Sequence, residues 1–196
     1  LAIRQIVNPF SQDFVIASVG SGPDIVGPLL ATDFSRAYFL DIRPIDIKRL
    51  SNNLRLWRWL GKFPFLARVR QRWDYFSVKR NRGYSNVAVF GNFTEFYLIQ
   101  ELDAMGVPLK DAVVHRNSSG HPALVFHLPG EARKREIVFV PFNFADHARD
   151  LLRSDPIGAG VLDAIFEKAT GSFPRSKEYP EYLRSVSEWL QPRGFL

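Results

Sequence analysis

Glycines and a carboxylate are spaced so that together they could bind a nucleotide. The apolar run Phe14 to Val19 is followed directly by the turn Gly20-Ser21-Gly22, and the next apolar run, Ala37 to Leu40, ends at Asp41, 21 residues after Gly20. Residues without side chains let a ligand approach the backbone closely. A carboxylate after the second strand can accept hydrogen bonds from ribose hydroxyls. The spacing favours a nucleotide-type ligand, and a purely structural turn is the alternative.

Two strands and a helix must position these groups. Both apolar runs have the length and composition of strands that are buried on both faces of a parallel sheet. Between them, apolar residues recur at helical spacing from Ile25 to Thr32, which predicts a helix with free backbone N–H groups at its start. Strand, glycine turn, helix and strand form the layout of a nucleotide-binding βαβ unit.

These residues also carry a family resemblance. The stretches VGSGPD and FLDIRPIDIKRLSNN resemble motifs I and II of the Rossmann-like S-adenosylmethionine (SAM)-dependent methyltransferases, over about residues 13 to 55. The glycine turn is also similar to that of nicotianamine synthases, which transfer an aminopropyl group from SAM. The resemblance implies that Gly20 and Gly22, with Ser21 between them, border the methionine part of SAM, that Asp41 holds the ribose hydroxyls and that Ile42 lies beside the adenine.

Two further positions complete the cofactor site that the resemblance implies. Ser18 stands two positions before the first glycine, where the family usually has an acidic residue that contacts the SAM amino group. Asp74 is the candidate for the acidic residue that meets the adenine amine, and a solvated side chain in a basic loop is its alternative role. A dinucleotide G-x-G-x-x-G motif would need glycine at Ile25, so the turn favours SAM over NAD.

Candidates for contact with the acceptor follow a later predicted strand, Asn86 to Phe90. If this strand ends at the carboxyl edge of the sheet, Asn92 could orient a substrate nitrogen or oxygen, and Glu95 could act as a base or positioning group. The alternative for Asn92 is that it caps the helix that follows, because Asn is a favoured capping residue.

The remaining pattern predicts an α/β fold, a three-layer Rossmann-like domain over residues 1–196 with a mostly parallel sheet. Amphipathic helices are expected at about 44–60 and 93–105. Strand-like runs at 111–116, 123–128 and 136–142 are joined by links too short for crossover helices, so they predict an antiparallel segment near residues 111–142. The tail, residues 145–196, is predicted to be helical, with helices at 145–152, 159–169 and 179–190.

The stretch from Lys48 to Arg82 carries eleven Lys or Arg and one acidic residue, Asp74, so its net charge is +10. The whole chain has a net charge of +6, so the rest of the chain carries −4. Aromatic side chains are interleaved in this basic aromatic segment, 48–84. Cations and rings together suit a nucleic acid or an anionic membrane surface. The alternative is an amphipathic helix whose aromatic residues are core and whose arginines are solvated.

Composition excludes several kinds of site. The chain has no Cys, which excludes disulfides and thiolate chemistry and fits a reducing, cytoplasmic compartment. His115, His121 and His127 lack ligand spacing, so no metal site is predicted. No apolar run reaches 18 residues, so no transmembrane segment is expected.

The combined expectation is a SAM-dependent transferase, a methyltransferase with an unknown acceptor. Two other functions remain open: a non-catalytic protein that binds nucleic acid or an anionic surface with a degenerate pocket, and an NAD-binding oxidoreductase.

Overall fold

The computed structural model describes residues 13–19, 33–41, 45–63, 65–66, 68–69, 94–141, 157, 160–167, 184 and 187–195. The helices and strands of this part of the chain are β1 (Val15–Val19), β2 (Arg36–Asp41), α1 (Ile47–Leu60), α2 (Thr94–Ala104), β3 (Val113–Arg116), β4 (Pro122–His127), β5 (Lys134–Pro141), β6 (Leu162–Glu167) and β7 (Leu190–Phe195). The predicted helix at 25–32 and the predicted strand at 86–90 lie outside the described residues.

The strands form one seven-stranded sheet in the order β3-β4-β5-β2-β1-β6-β7. Strand β1 pairs in parallel with β2 and β6, β2 pairs in parallel with β5, and β6 pairs in parallel with β7. Strand β4 runs antiparallel to both of its neighbours, β3 and β5. The predictions of a mostly parallel α/β sheet and of an antiparallel segment within 111–142 are therefore confirmed.

Side chains from both faces of the sheet are buried. On one face, strand residues such as Ile16, Phe39 and Ile137 pack in the same cluster as apolar residues of α1 and α2. On the other face, the cluster around Val19, Leu40 and Val138 also contains Ile157 and Trp189. Burial on both faces explains why the central strands are continuous apolar runs instead of alternating ones. The described residues include no complete helix on this second face, so the second helical layer of the predicted three-layer arrangement stays a prediction.

Both described helices agree with the apolar pattern of the sequence. The buried residues of α1 are Leu50, Leu54, Trp57 and Leu60, which recur at a spacing of three or four residues and form one face. Helix α2 buries Leu98, Ile99 and Leu102 in the same cluster. The two helices therefore lie beside each other on one face of the sheet. None of the helices in the described residues is long and apolar enough to cross a membrane.

The predicted helical tail is wrong for the two strands that the structure describes in it, whereas residues 184 and 187, within the expected helix at 179–190, are helical. Residues 162–167, expected within a helix at 159–169, form β6 beside β1, and residues 190–195 form β7. A short apolar run fits a helix and a doubly buried strand equally well by periodicity. The left-handed turn at Gly160, with φ of 67°, directly precedes β6, and its N–H donates to the Glu188 carbonyl at 2.9 Å. The predicted helix at 145–152 lies outside the described residues.

Candidate functional site

The connections of the sheet change direction at its centre. After β1 the chain forms β2 on one side of β1. After β5 it crosses to the other side of β1, where it forms β6 and then, farther out, β7. In open α/β sheets, ligands bind outside the carboxyl ends of the strands at such a switch point. The gap between the carboxyl ends of β1 and β6 is therefore the place where the fold favours a ligand.

Asp41 is the last residue of β2 and lies opposite Pro141, the last residue of β5. Alternation along β2 places it on the same face as Phe39, which packs in the cluster of α1 and α2. The side chain is half-buried. The structure thus places this carboxylate at the carboxyl edge, on the helix-bearing face, one strand away from the switch point.

Ser18 is the penultimate residue of β1 and is 2% exposed. It lies between Phe39 of β2 and Phe166 of β6 in the sheet register. Because Asp41 is two residues beyond Phe39, the Cα atoms of Ser18 and Asp41 are roughly 8 Å apart by standard strand geometry. Both residues are therefore on one face of adjacent strands, with Ser18 the deeper of the two.

Glu95 stands in the first turn of α2 and is 1% exposed. Its Oε1 accepts a hydrogen bond of 2.9 Å from the backbone N–H of Asp46, the residue before α1. Its Oε2 is buried and has no hydrogen-bond donor among the described residues. One oxygen of this carboxylate therefore joins the amino ends of the two helices, and the other has its hydrogen-bonding capacity unused.

Asp46 is the N-cap of α1. Its carboxylate accepts backbone N–H groups of Lys48 at 2.8 Å and Arg49 at 3.3 Å. These hydrogen bonds favour the ionised form and lower the pKa of Asp46, with the Arg49 and Lys48 charges adding to the effect. Since Asp46 follows Asp41 by five residues, the amino end of α1 lies near the carboxyl edge of the sheet.

Sequence reasoning missed the strand on the far side of the switch point. Glu167 ends β6 and lies opposite Val19, the last residue of β1, in the parallel register. It was predicted to be part of a helix, away from any site. The signal that could have revealed it is the brevity of the mostly apolar run Leu162 to Phe166, interrupted by Asp163, which is shorter than an ordinary helix and follows a glycine turn.

Among the predicted site residues, the structure brings Ser18, Asp41 and Glu95 to the helix-bearing side of the sheet. The other predicted site residues, Gly20, Ser21, Gly22, Ile42, Asp74 and Asn92, lie outside the described residues and stay predictions. No group of three or more His, Asp or Glu side chains suited to a metal ion occurs among the residues that the structure describes. His115 instead lies 3.3 Å from a carboxylate oxygen of Glu136 on the amino half of the sheet.

At the opposite, amino edge of the sheet, ionic side chains are paired with one another. Arg135 is 2% exposed and makes ion pairs of 2.8 Å with Asp33 and with Glu131, and its guanidinium lies 5.3 Å from the centre of the Phe34 ring. Arg133 also bonds to Asp33. This network joins the residues before β2 to the start of β5.

The amino edge also contains a buried carboxylate, and both of its oxygens are hydrogen-bonded. Asp163 on β6 is 1% exposed and accepts the Val15 N–H at 2.8 Å with Oδ2. Its Oδ1 accepts the side-chain amide of Gln191 on β7. Asp163 therefore connects the beginnings of three strands, β1, β6 and β7.

Comparison of the chain with protein-family models, with curated proteins and with solved structures finds no match to any of them.

Proposed function

We propose that the chain is a SAM-dependent transferase, specifically a methyltransferase acting on an acceptor that is not identified. The observation that carries this proposal is the parallel β1–β2 pair with Asp41 at the carboxyl end of β2, next to the switch point between β1 and β6. The glycine turn of the sequence follows β1 directly, so turn and carboxylate belong to the same edge.

Asp41 is the residue proposed to hold the ribose. Its carboxylate can accept two hydrogen bonds from vicinal hydroxyls, which is the chemistry that favours an acidic residue after the second strand of such a unit. The half-buried position supports this role, because partial exclusion of water strengthens a hydrogen bond to a charged acceptor.

Glu95 is proposed to face the acceptor. A buried carboxylate oxygen without a donor is costly, and such groups persist where a ligand or a proton completes them. When bound, SAM would supply an electrophilic methyl group for an acceptor lone pair and leave as S-adenosylhomocysteine. An N–H or O–H acceptor must then lose a proton, and we assign this proton to Oε2 of Glu95, whose carboxylate is held through Oε1 by the Asp46 hydrogen bond.

The direct test is a thermal shift titration of the purified chain with SAM, S-adenosylhomocysteine and NAD. SAM and S-adenosylhomocysteine should raise the unfolding midpoint in a concentration-dependent way, since a ligand that binds only the folded state stabilises it. Asp41→Ala should weaken both ligands by about tenfold or more, because a charge-assisted bond contributes about 1.5–3 kcal/mol. A shift with NAD alone, or with none of the three, would overturn the proposal.

A further inference from the structure

Five large apolar side chains are exposed within eleven residues at and after the end of α1. Trp59, Phe63, Phe65, Leu66 and Val69 are between 41% and 76% exposed, and together with the exposed cations Arg55, Lys62 and Arg68 they define the basic apolar patch. Scattered single apolar residues on a surface are ordinary, whereas a concentration of this kind marks an interaction site.

The apolar members of the patch group into two clusters. The rings of Trp59 and Phe63 lie 5.3 Å apart, tilted by 55°. Residues 65–66 and 68–69 are helical. Phe65, Leu66 and Val69 therefore share one side of a helical turn, because residues three and four apart are neighbours. The patch thus consists of two groups of apolar side chains that follow each other in the chain.

The protein interior does not use these side chains. The opposite side of α1, with Leu54, Trp57 and Leu60, is already buried. Arg58 secures the end of this helix by donating to the carbonyl of Leu109 at 2.8 Å and to that of Ala112. The helix is therefore anchored through one face and exposes Trp59 on another.

The charged residues of this segment have a single sign. From Ile47 to Trp73 the sequence contains eight Lys or Arg and no acidic residue. Arg55, Lys62 and Arg68, each within four residues of one of these apolar side chains in the chain, are exposed. A segment with exposed apolar side chains and only positive charge of its own complements a partner whose surface is negatively charged and whose interior is apolar.

We propose that the basic apolar patch docks the protein on an anionic phospholipid membrane. Trp59, Phe63, Phe65, Leu66 and Val69 enter the interfacial layer, and Arg55, Lys62 and Arg68 contact the headgroup phosphates. Binding of this type combines buried apolar area with electrostatic attraction. The inference is independent of the proposed transferase activity, because the apolar side chains of the patch begin at Trp59, about 20 Å along the helix from Asp46.

The composition of the patch favours lipid over nucleic acid. Single-stranded nucleic acid is bound by flat aromatic faces on which successive bases stack. Here Trp59 is tilted against Phe63, and Leu66 and Val69 are aliphatic and offer no stacking face. Aliphatic side chains beside Trp and Phe, with cations at their margin, match the interfacial zone of a bilayer instead.

The test is sedimentation of the full chain with sucrose-loaded vesicles of phosphatidylcholine alone and of phosphatidylcholine with 30% phosphatidylserine, a composition chosen on the order of a natural anionic leaflet. Binding to the anionic vesicles and little binding to the neutral ones is expected. The double variant Lys62→Gln/Arg68→Gln should bind about 30-fold more weakly, since each cation near such a surface contributes about fivefold to tenfold. Phe65→Ser/Leu66→Ser should weaken binding by about tenfold or more.

Matched controls keep the result specific to the patch. Lys134→Gln removes an exposed cation, and Val161→Ser removes a 39% exposed apolar side chain, both outside the patch. Neither control should change vesicle binding, and circular dichroism should show that all variants are folded. Equal binding to neutral and anionic vesicles, or unchanged binding in both double variants, would overturn the proposal. So would salt-sensitive binding of single-stranded RNA at protein concentrations that leave anionic vesicles unbound.

Discussion

Buried charged side chains are fully hydrogen-bonded at the amino edge of the sheet and only partly hydrogen-bonded at the carboxyl edge. At the amino edge, Arg135 and Asp163 are almost fully buried and each is bonded by two or more groups of neighbouring segments. At the carboxyl edge, Glu95 is as deeply buried, yet one of its oxygens has no donor among the described residues. Satisfied charges hold strands together, and an unsatisfied one costs stability unless a ligand completes it.

This contrast indicates a division of labour within one sheet. The amino-edge network joins the residues before β2 to the β4–β5 turn and the start of β5, about a hundred positions later in the chain. The carboxyl edge collects Asp41, Glu95 and the amino ends of two helices around the switch point. We therefore expect variants of the amino edge to change stability and variants of the carboxyl edge to change ligand binding.

The largest effect is expected from Arg135→Ala. Removal of the buried guanidinium breaks its bonds to Glu131, which is exposed, and to Asp33, which keeps Arg133 as a partner, and this should lower the free energy of unfolding by about 3 kcal/mol. Urea denaturation followed by circular dichroism measures this loss, and Lys134→Ala, at the exposed neighbouring position, serves as the matched control. A loss no larger than that of the control would remove the structural role assigned to the amino edge.

The next effect concerns Ser18→Asp. The position is 2% exposed and lies between Phe39 and Phe166, so a carboxylate there should destabilise the ligand-free protein. If the SAM ammonium group lies beside this position, SAM should restore more of the unfolding temperature in Ser18→Asp than in the uncharged control Ser18→Asn. Equal SAM-induced shifts in the two variants would contradict the cofactor geometry assigned to β1.

Two substitutions of Glu95 distinguish the role of Oε1, which accepts the Asp46 N–H, from the role proposed for Oε2. Glu95→Ala removes the acceptor of the Asp46 N–H and should cost about 1–3 kcal/mol of stability. Glu95→Gln keeps an amide oxygen for this hydrogen bond, so its stability should stay within about 1 kcal/mol of the parent protein. Loss of methyl transfer in both variants, with loss of stability only in Glu95→Ala, is the expected pattern. Full activity in Glu95→Gln would exclude Glu95 as the base.

The smallest effect is a pH dependence at Asp46. Its pKa is lowered in the folded protein by the backbone N–H groups of Arg49 and Lys48, so ionised Asp46 stabilises the start of α1 at pH values above about 3.9, the unfolded reference. This contribution is lost as the pH falls through the lower folded value. Asp46→Asn, which keeps a capping oxygen, should flatten the acid side of the stability curve slightly. If the free energy of unfolding depends on pH in the same way in the parent protein and in Asp46→Asn, the charge of Asp46 does not contribute to acid stability.

Local patterns in the sequence predicted the parts of the fold whose burial is one-sided or whose links are short. Helix α1 followed from the apolar spacing of Leu50, Leu54 and Trp57, and the antiparallel segment followed from two tight links. Strand β6 was missed because its mostly apolar run, interrupted by Asp163, also fits one face of a helix, and only the shortness of the run favoured a strand. The pairing with β1 distinguishes the two directly.

The candidate site was predictable in its residue types and not in its contacts. Asp41 was predicted as a ribose-binding candidate because it ends an apolar run 21 residues after Gly20. The link between Glu95 and Asp46 joins residues 49 positions apart, and no local pattern encodes such a hydrogen bond. The basic apolar patch shows the same limit, since Trp57 and Trp59 belong to one aromatic stretch yet one is 3% and the other 51% exposed.

The central claim is that ligand binds at the carboxyl edge and leaves the amino edge unaffected, and hydrogen exchange tests it most directly. Exchange measured by mass spectrometry with and without saturating SAM should show slower exchange in peptides covering residues 17–24 and 40–48, with peptides covering 131–136 unchanged. This difference would show that the two edges have separate tasks. Protection at 131–136 without protection at 17–24 and 40–48, or no protection anywhere, would contradict the account.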